Sequence, residues 1–76
     1  MTKSERYIKD TKVYLYKVTL FYKRSDMEGV QRCQEDIWAT TESEAGKILT
    51  GKVAWEVSLD GATFYMDTIS FDCYAD

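Results

Sequence analysis

Histidine is absent from this chain of 76 residues, and proline with it. Without an imidazole, Ser-His-Asp and Cys-His nucleophilic catalysis, histidine proton shuttling and histidine-containing zinc sites are all excluded. Cysteine occurs only at Cys33 and Cys73. Two thiols are too few for a four-thiolate metal site, and no C-x-x-C pair is present, so neither a metal, a cofactor nor a dithiol redox motif is expected. Long apolar runs are missing as well. The opening MTKSERYIKDTK holds no stretch of signal-peptide character, and nothing approaches the roughly 20 residues needed to cross a bilayer. A soluble, cytoplasmic protein with no membrane contact is expected, its two thiols buried and free rather than joined in a disulfide. The chain is not expected to be an enzyme and must act through its surfaces.

The charge that is present is unevenly divided. Residues 1 to 24 hold Lys3, Arg6, Lys9, Lys12, Lys17, Lys23 and Arg24 against Glu5 and Asp10, a balance of +5. Residues 25 to 76 hold Arg32, Lys47 and Lys52 against eleven acids, a balance of −8, giving the net −3 of the whole. Such an asymmetry bears on association and steering rather than on fold. A chain this short buries only about 60% of its unfolded surface, so its core is thin and a partner or self-association can contribute to its stability.

The organisation follows from sparse punctuation, with glycine only at positions 29, 46, 51 and 61. Residues 1–12 read as a polar arm and 13–76 as a single domain. From Lys12 to Lys23 the even positions Tyr14, Tyr16, Val18, Leu20 and Tyr22 are apolar, the period of a strand. A second strand is expected from about Val30 to Thr40 after the SDMEG turn at 25–29. Pairing Lys23 with Val30 sets Tyr14 by Ala39, Tyr16 by Ile37 and Leu20 by Cys33 on the inner face. On the outer face it sets Lys17 by Asp36, Phe21 by Arg32 and Leu15 by Trp38. Val18 against Glu35 is discordant and suggests a bulge or slip. Thr41-Glu42-Ser43-Glu44 has the form of a capping box, predicting a short helix with Ala45, Ile48 and Leu49 on one face and Gly51 as its stop. Val53, Trp55, Val57 and Leu59 alternate with polar residues, and Asp60-Gly61 is the preferred dipeptide of a tight type I′ hairpin. That places Val57 opposite Phe64 and Trp55 opposite Met66, with a break near Asp67 and Thr68 where the apolar phase shifts to Ile69, Phe71 and Cys73. The expected fold is α+β, an antiparallel sheet of about four strands with one short helix, in the order β-β-α-β-β.

One helix cannot cover two sheet faces. Val13, Leu15, Phe21, Trp38 and Tyr65 are expected to point away from the core face, with Lys17, Lys23, Arg32, Asp36 and Glu56 around them, as aromatic anchors and their charged rim do in protein interfaces. Scattered surface apolars, or a homodimer seam, are the plainer readings of the same residues. Lys3, Arg6, Lys9 and Lys12 recur every third residue and would form a basic stripe on a helix, suited to nucleic-acid phosphates, although a solvated tail explains them equally. The scattered acids, from Glu28 to Asp76, could imitate a phosphate backbone or simply form an acidic surface.

The strand-to-helix run I-W-A-T-T-E-S-E-A-G-K-I-L, residues 37 to 49, follows a hairpin and precedes further strand. In size and element order the stretch 13 to 75 resembles small phage-encoded host-takeover proteins, among them anti-CRISPR proteins and podoviral inhibitors of bacterial RNA polymerase. The resemblance implies a phage inhibitor in the host cytoplasm, bound to a host protein or protein–nucleic acid complex. The basic N-terminus departs from those proteins, and no binding residue is carried over. The expected function is thus a non-catalytic protein-binding module that blocks a host macromolecular machine through its open sheet face. The alternatives are a small nucleic-acid-binding accessory protein using the N-terminal third, and a homodimeric structural or assembly protein.

Overall fold

The period-two run from Tyr14 to Tyr22 lies in the longest strand of the molecule and organises everything else. A computed structural model describes residues 5–8 and 10–73. The elements are β1 (Glu5–Ile8), β2 (Thr11–Arg24), β3 (Gln31–Ala39), α1 (Glu42–Leu59) and β4 (Phe64–Cys73). The fold is therefore α+β, a four-stranded antiparallel sheet with one helix, and three strands rather than two precede the helix. The additional strand comes from the stretch expected as an arm: Glu5–Ile8 pair with Tyr14–Thr11, and Asp10 takes a left-handed φ of 66° in the turn between them.

β2 is paired along both sides. On one side lies β3, in the register expected from sequence, from Tyr14 opposite Ala39 to Leu20 opposite Cys33. The pairing runs through Val18 and Glu35 without a bulge. The discordant Glu35 is accommodated because β3 is an edge strand, and its carboxylate meets Lys52 Nζ of α1 at 2.7 Å. On the other side lies β4, running from Arg24 opposite Phe64 to Tyr16 opposite Cys73, with β1 continuing the same line beyond it. The register of β4 shifts between Phe21 and Tyr22, leaving Asp67 unpaired. That bulge restores Ile69, Phe71 and Cys73 to the face carrying Phe64, where the sequence placed the break.

The helix is where sequence and structure part. Thr41 caps it, its hydroxyl accepting from the Glu44 amide at 3.1 Å. The Glu44 side chain accepts from the Thr40 hydroxyl rather than reaching back to the Thr41 amide. The helix does not stop at Gly51. It continues for 18 residues and absorbs the segment expected as a strand. Ala45, Leu49, Val53 and Val57 follow at intervals of four, all buried, and form the face laid on the sheet. Val57 does not face Phe64 across a hairpin, and Trp55 does not face Met66. Asp60-Gly61 instead ends the helix: Gly61, at φ 77°, donates to the Ser58 carbonyl at 3.0 Å and Ala62 to that of Val57 at 3.1 Å, a Schellman cap.

The core is one cluster between α1 and the even-numbered face of β2: Tyr16, Val18, Leu20, Ala39, Ala45, Leu49, Val53 and Val57. Leu20, Leu49, Val18 and Val57 are fully buried, each worth roughly 1.5–3 kcal/mol of transfer free energy. Gly46 lets the helix approach β4, since a Cβ there would stand 2.9 Å from Phe71 Cζ. Cys33 and Cys73 are free thiols. They sit on strands flanking β2, separated sideways by two strand spacings, about 10 Å, and offset along β2 by the four residues from Tyr16 to Leu20, about 13 Å, beyond the reach of a disulfide.

Candidate interaction surface

The odd-numbered side chains of β2 form the second face of the sheet, and α1 lies on the other. β2 contributes Val13, Leu15, Lys17, Thr19, Phe21 and Lys23. Across its pairing with β3 stand Trp38, Asp36, Gln34 and Arg32; across its pairing with β4 stand Asp72, Ser70, Thr68 and Tyr65. Nine of the ten residues expected on or around that face are thus brought together: Val13, Leu15, Lys17, Phe21, Lys23, Arg32, Asp36, Trp38 and Tyr65. Glu56 is the exception. Its segment is helical, which puts it on α1, the opposite side of the sheet.

Two apolar areas mark the face. At one end, Leu15 and Trp38 are cross-strand partners, both half-buried, and the Arg6 guanidinium covers the Trp38 ring at 4.9 Å from its centroid. Val13, paired with Arg6, is 6% exposed although it lies outside the core cluster. At the other end, half-buried Phe21 lies near Tyr65, which is 56% exposed opposite Lys23. Between them the polar residues are tied together: Gln34 Nε2 donates to Thr19 Oγ1 at 3.0 Å, and Arg32 donates to Gln34 Oε1 at 3.1 Å. The face thus carries aromatic side chains at both ends with charged residues around them.

The basic stripe is not formed. Lys3 and Lys9 lie outside the described residues. Arg6 and Lys12 belong to a hairpin rather than a helix and occupy ladder positions of opposite face. The Lys12 ammonium meets the Glu5 carboxylate at 2.9 Å, a hydrogen bond that holds its pKa above the usual lysine value. At the rim of the sheet, Arg24 binds Asp26 through two bonds of 2.8 Å and Asp60 at 2.9 Å. These bonds raise the guanidinium pKa and pull that of Asp26 below the usual carboxylate range. Asp60 caps the C-terminus of α1, so the cluster joins the end of β2 to the end of the helix. Ser25 and Thr63 add two bonds beside it, of 2.8 and 3.0 Å.

Sequence reasoning missed a second exposed surface. Ile48, Trp55 and Leu59, expected in the core, are 45%, 65% and 68% exposed on α1. The legible signal was the unbroken spacing of four from Ala45 to Val57, which fixes the buried face and turns Trp55 and Leu59 away from it. On the other flank of the helix, Ser43, Gly46, Lys47, Thr50, Met66, Ile69 and Phe71 line an open apolar groove of about 350 Å³. Among the described residues no helix is long and apolar enough to cross a membrane. Comparison of the chain with family models, with curated proteins and with solved structures gives no match.

Proposed function

We propose that the protein is a non-catalytic binding module that docks another protein on the open face of its sheet. The observation that carries this reading is the division of the sheet: α1 covers one face, while the other presents Leu15, Phe21, Trp38 and Tyr65 among Lys17, Lys23, Arg32 and Asp36. Trp and Tyr dominate binding energy in interfaces because they bury large rigid surfaces, and the Arg6–Trp38 stack is a ready anchor of that kind. The specific form implied by the phage resemblance is an inhibitor that occludes a working surface of a larger host machine. The nucleic-acid alternative is less favoured, because Arg6 and Lys12 do not share a face and Lys12 is already paired with Glu5.

The test is quantitative capture from nuclease-treated lysate of the source cells, comparing the wild-type chain with Phe21→Ala and Trp38→Ala. One stoichiometric protein retained by the wild type and lost from both variants, with melting curves still cooperative, supports the reading. Unchanged retention by both variants overturns it. Nuclease-sensitive retention would move the assignment to nucleic acid.

A further inference from the structure

Two surfaces outside the open sheet face converge on one place. The first is an edge. Among the described residues β3 pairs only with β2, so a nine-residue strand without glycine, proline or bulge forms an edge of the sheet. Natural sheets usually shorten, bulge, interrupt or charge such an edge, because it is a template for another strand; here the charges are Arg32, Glu35 and Asp36. The second is the apolar stripe of α1. Ile48, Lys52, Trp55 and Leu59 stand at i, i+4, i+7 and i+11, one side of the helix. That side leans toward β3, because Lys52 reaches Glu35 there, while Ser43, Gly46, Lys47 and Thr50 face β4 across the groove.

We infer that the occupant of both surfaces is a second copy of this chain, paired edge to edge through β3 about a two-fold axis at Gln34, with the two α1 stripes facing each other. The strand is self-complementary in that register. Antiparallel pairing centred on Gln34 sets Gln34 against itself and Arg32 against Asp36 of the second copy, twice. It also sets Trp38 against Val30, the latter 47% exposed. An isologous interface requires this kind of self-matching. On the helix side of the sheet, Glu35 comes opposite Cys33 of the second copy and keeps Lys52 as its counter-ion.

The helix obeys the same axis. α1 runs back antiparallel to β3, and Gln34 lies five residues, about 16 Å, before the end of that strand. At 1.5 Å per residue, 16 Å along α1 from its start reaches about Val53, and the Lys52–Glu35 bridge independently fixes that level. A two-fold axis beside Val53 and Ala54 sets Ile48 against Leu59 and Lys52 against Trp55 of the second copy. Apolar side chains thus meet apolar ones, and an ammonium meets an indole face. The two helices lie on the same side of a continuous six-strand-wide sheet, since pairing across an edge doubles β3-β2-β4. Their axes stand further apart than the 8–10 Å of directly packed helices, a gap that a Trp fills where a smaller side chain would not.

The deciding measurement is sedimentation of the full chain over a wide concentration range, with three variants. The wild type is expected to reach twice its 8.8 kDa mass as concentration rises. Trp55→Glu should weaken the dimer on the order of 30-fold, as loss of a central aromatic anchor does. Arg32→Asp and Asp36→Arg each place like charges across the axis and should be monomeric alone, yet a 1:1 mixture of the two should form a heterodimer. Within one copy these positions lie four residues apart on a strand, about 13 Å, so no intramolecular contact can produce that rescue. Circular dichroism checks that each variant is folded, and if Trp55→Glu is not, the mixing experiment decides alone. A wild type monomeric at every concentration overturns the inference. So does a dimer indifferent to the charge reversals, or one dissociated by Phe21→Ala, which would place the seam on the sheet face. None of these outcomes depends on whether the sheet face binds a partner protein.

Discussion

Two glycines of α1 have opposite reasons to be there, and replacing each by alanine separates backbone propensity from packing. Glycine inside a helix costs roughly 0.5–1 kcal/mol relative to alanine, because more backbone freedom is lost on folding. Nothing lies within 4 Å of a Cβ built on Gly51, and its φ is not left-handed, so Gly51→Ala should collect that whole gain. For a domain of this size 1 kcal/mol corresponds to about 4–8 °C in Tm. A Cβ on Gly46 would meet Phe71 Cζ at 2.9 Å, Phe71 Cε1 at 3.2 Å and Ile69 Cδ1 at 3.4 Å. Overpacking of that kind costs about 1–3 kcal/mol, so Gly46→Ala should be destabilising by up to about 2 kcal/mol after the same propensity gain is subtracted. The two should not be additive with changes at position 71: in a Phe71→Leu background, Gly46→Ala should lose most of its penalty. Thermal melts followed at 222 nm measure all four variants. A lower Tm for Gly51→Ala, or a Gly46→Ala as stabilised as Gly51→Ala, would refute the assignment of close approach to one glycine and of mere tolerance to the other.

The Arg24 cluster gives stability a pH dependence of known sign. Because Arg24 holds the Asp26 pKa below its unfolded value, the stabilisation is fully present above the ordinary carboxylate range and is lost as pH falls through Asp26's folded value. The Tm difference between wild type and Asp26→Asn should therefore be largest near neutrality and vanish in acid; a difference that grows on acidification contradicts the pairing. For the cysteines, prolonged air oxidation should leave the intact mass of the monomer without the loss of two hydrogens, because β2 separates Cys33 from Cys73. Finding an intramolecular Cys33–Cys73 peptide by non-reducing mass spectrometry would disprove that placement. Truncating the helix cap, Thr41→Ala, should cost about 1 kcal/mol in denaturant unfolding, the usual worth of an N-cap hydroxyl.

How far the sequence could be read depends on whether local pattern and tertiary context agreed. In β2 and β3 they did. The alternation of Tyr14 to Tyr22 has one solution once its apolar face is buried, and the pairs Lys17–Asp36, Phe21–Arg32 and Leu15–Trp38 left one register. The bulge at Asp67 was legible because the apolar phase itself changes there. Residues 53 to 61 misled because Val53, Trp55, Val57 and Leu59 satisfy a period of two as well as a helix carrying two apolar stripes. Asp-Gly likewise serves a type I′ turn and a helix C-cap equally well. What decided between them was non-local: Leu49, Val53 and Val57 close the core over Val18 and Leu20 only if the helix that Thr41 begins keeps going. The same ambiguity hid the exposed stripe, since the inner face of a strand would bury Trp55, which the helix exposes. The open sheet face was legible as soon as one helix was counted against two faces, and only Glu56 was lost with the strand that did not exist.

The division of charge along the chain has a different meaning once folded. Read linearly, the first 24 residues are a cationic segment. In three dimensions their strand runs between acidic neighbours. Lys17 stands in register with Asp36 on one side and Asp72 on the other, Arg24 is bound by Asp26 and Asp60, and Lys12 by Glu5. Lys17 thus has a pair of opposite charge on both sides, which favours the observed register over a slipped one. The same interleaving cancels the field that a basic segment would project toward a polyanion, because opposite charges a few ångströms apart leave little potential beyond a Debye length. Lys12, Lys17 and Arg24 are thus matched by acids within the fold, which supports our proposal of a protein partner over a nucleic-acid one. The surfaces we propose for partners, the Trp38 and Phe21 ends of the open face and the Trp55 flank of the helix, lie outside these charge pairs.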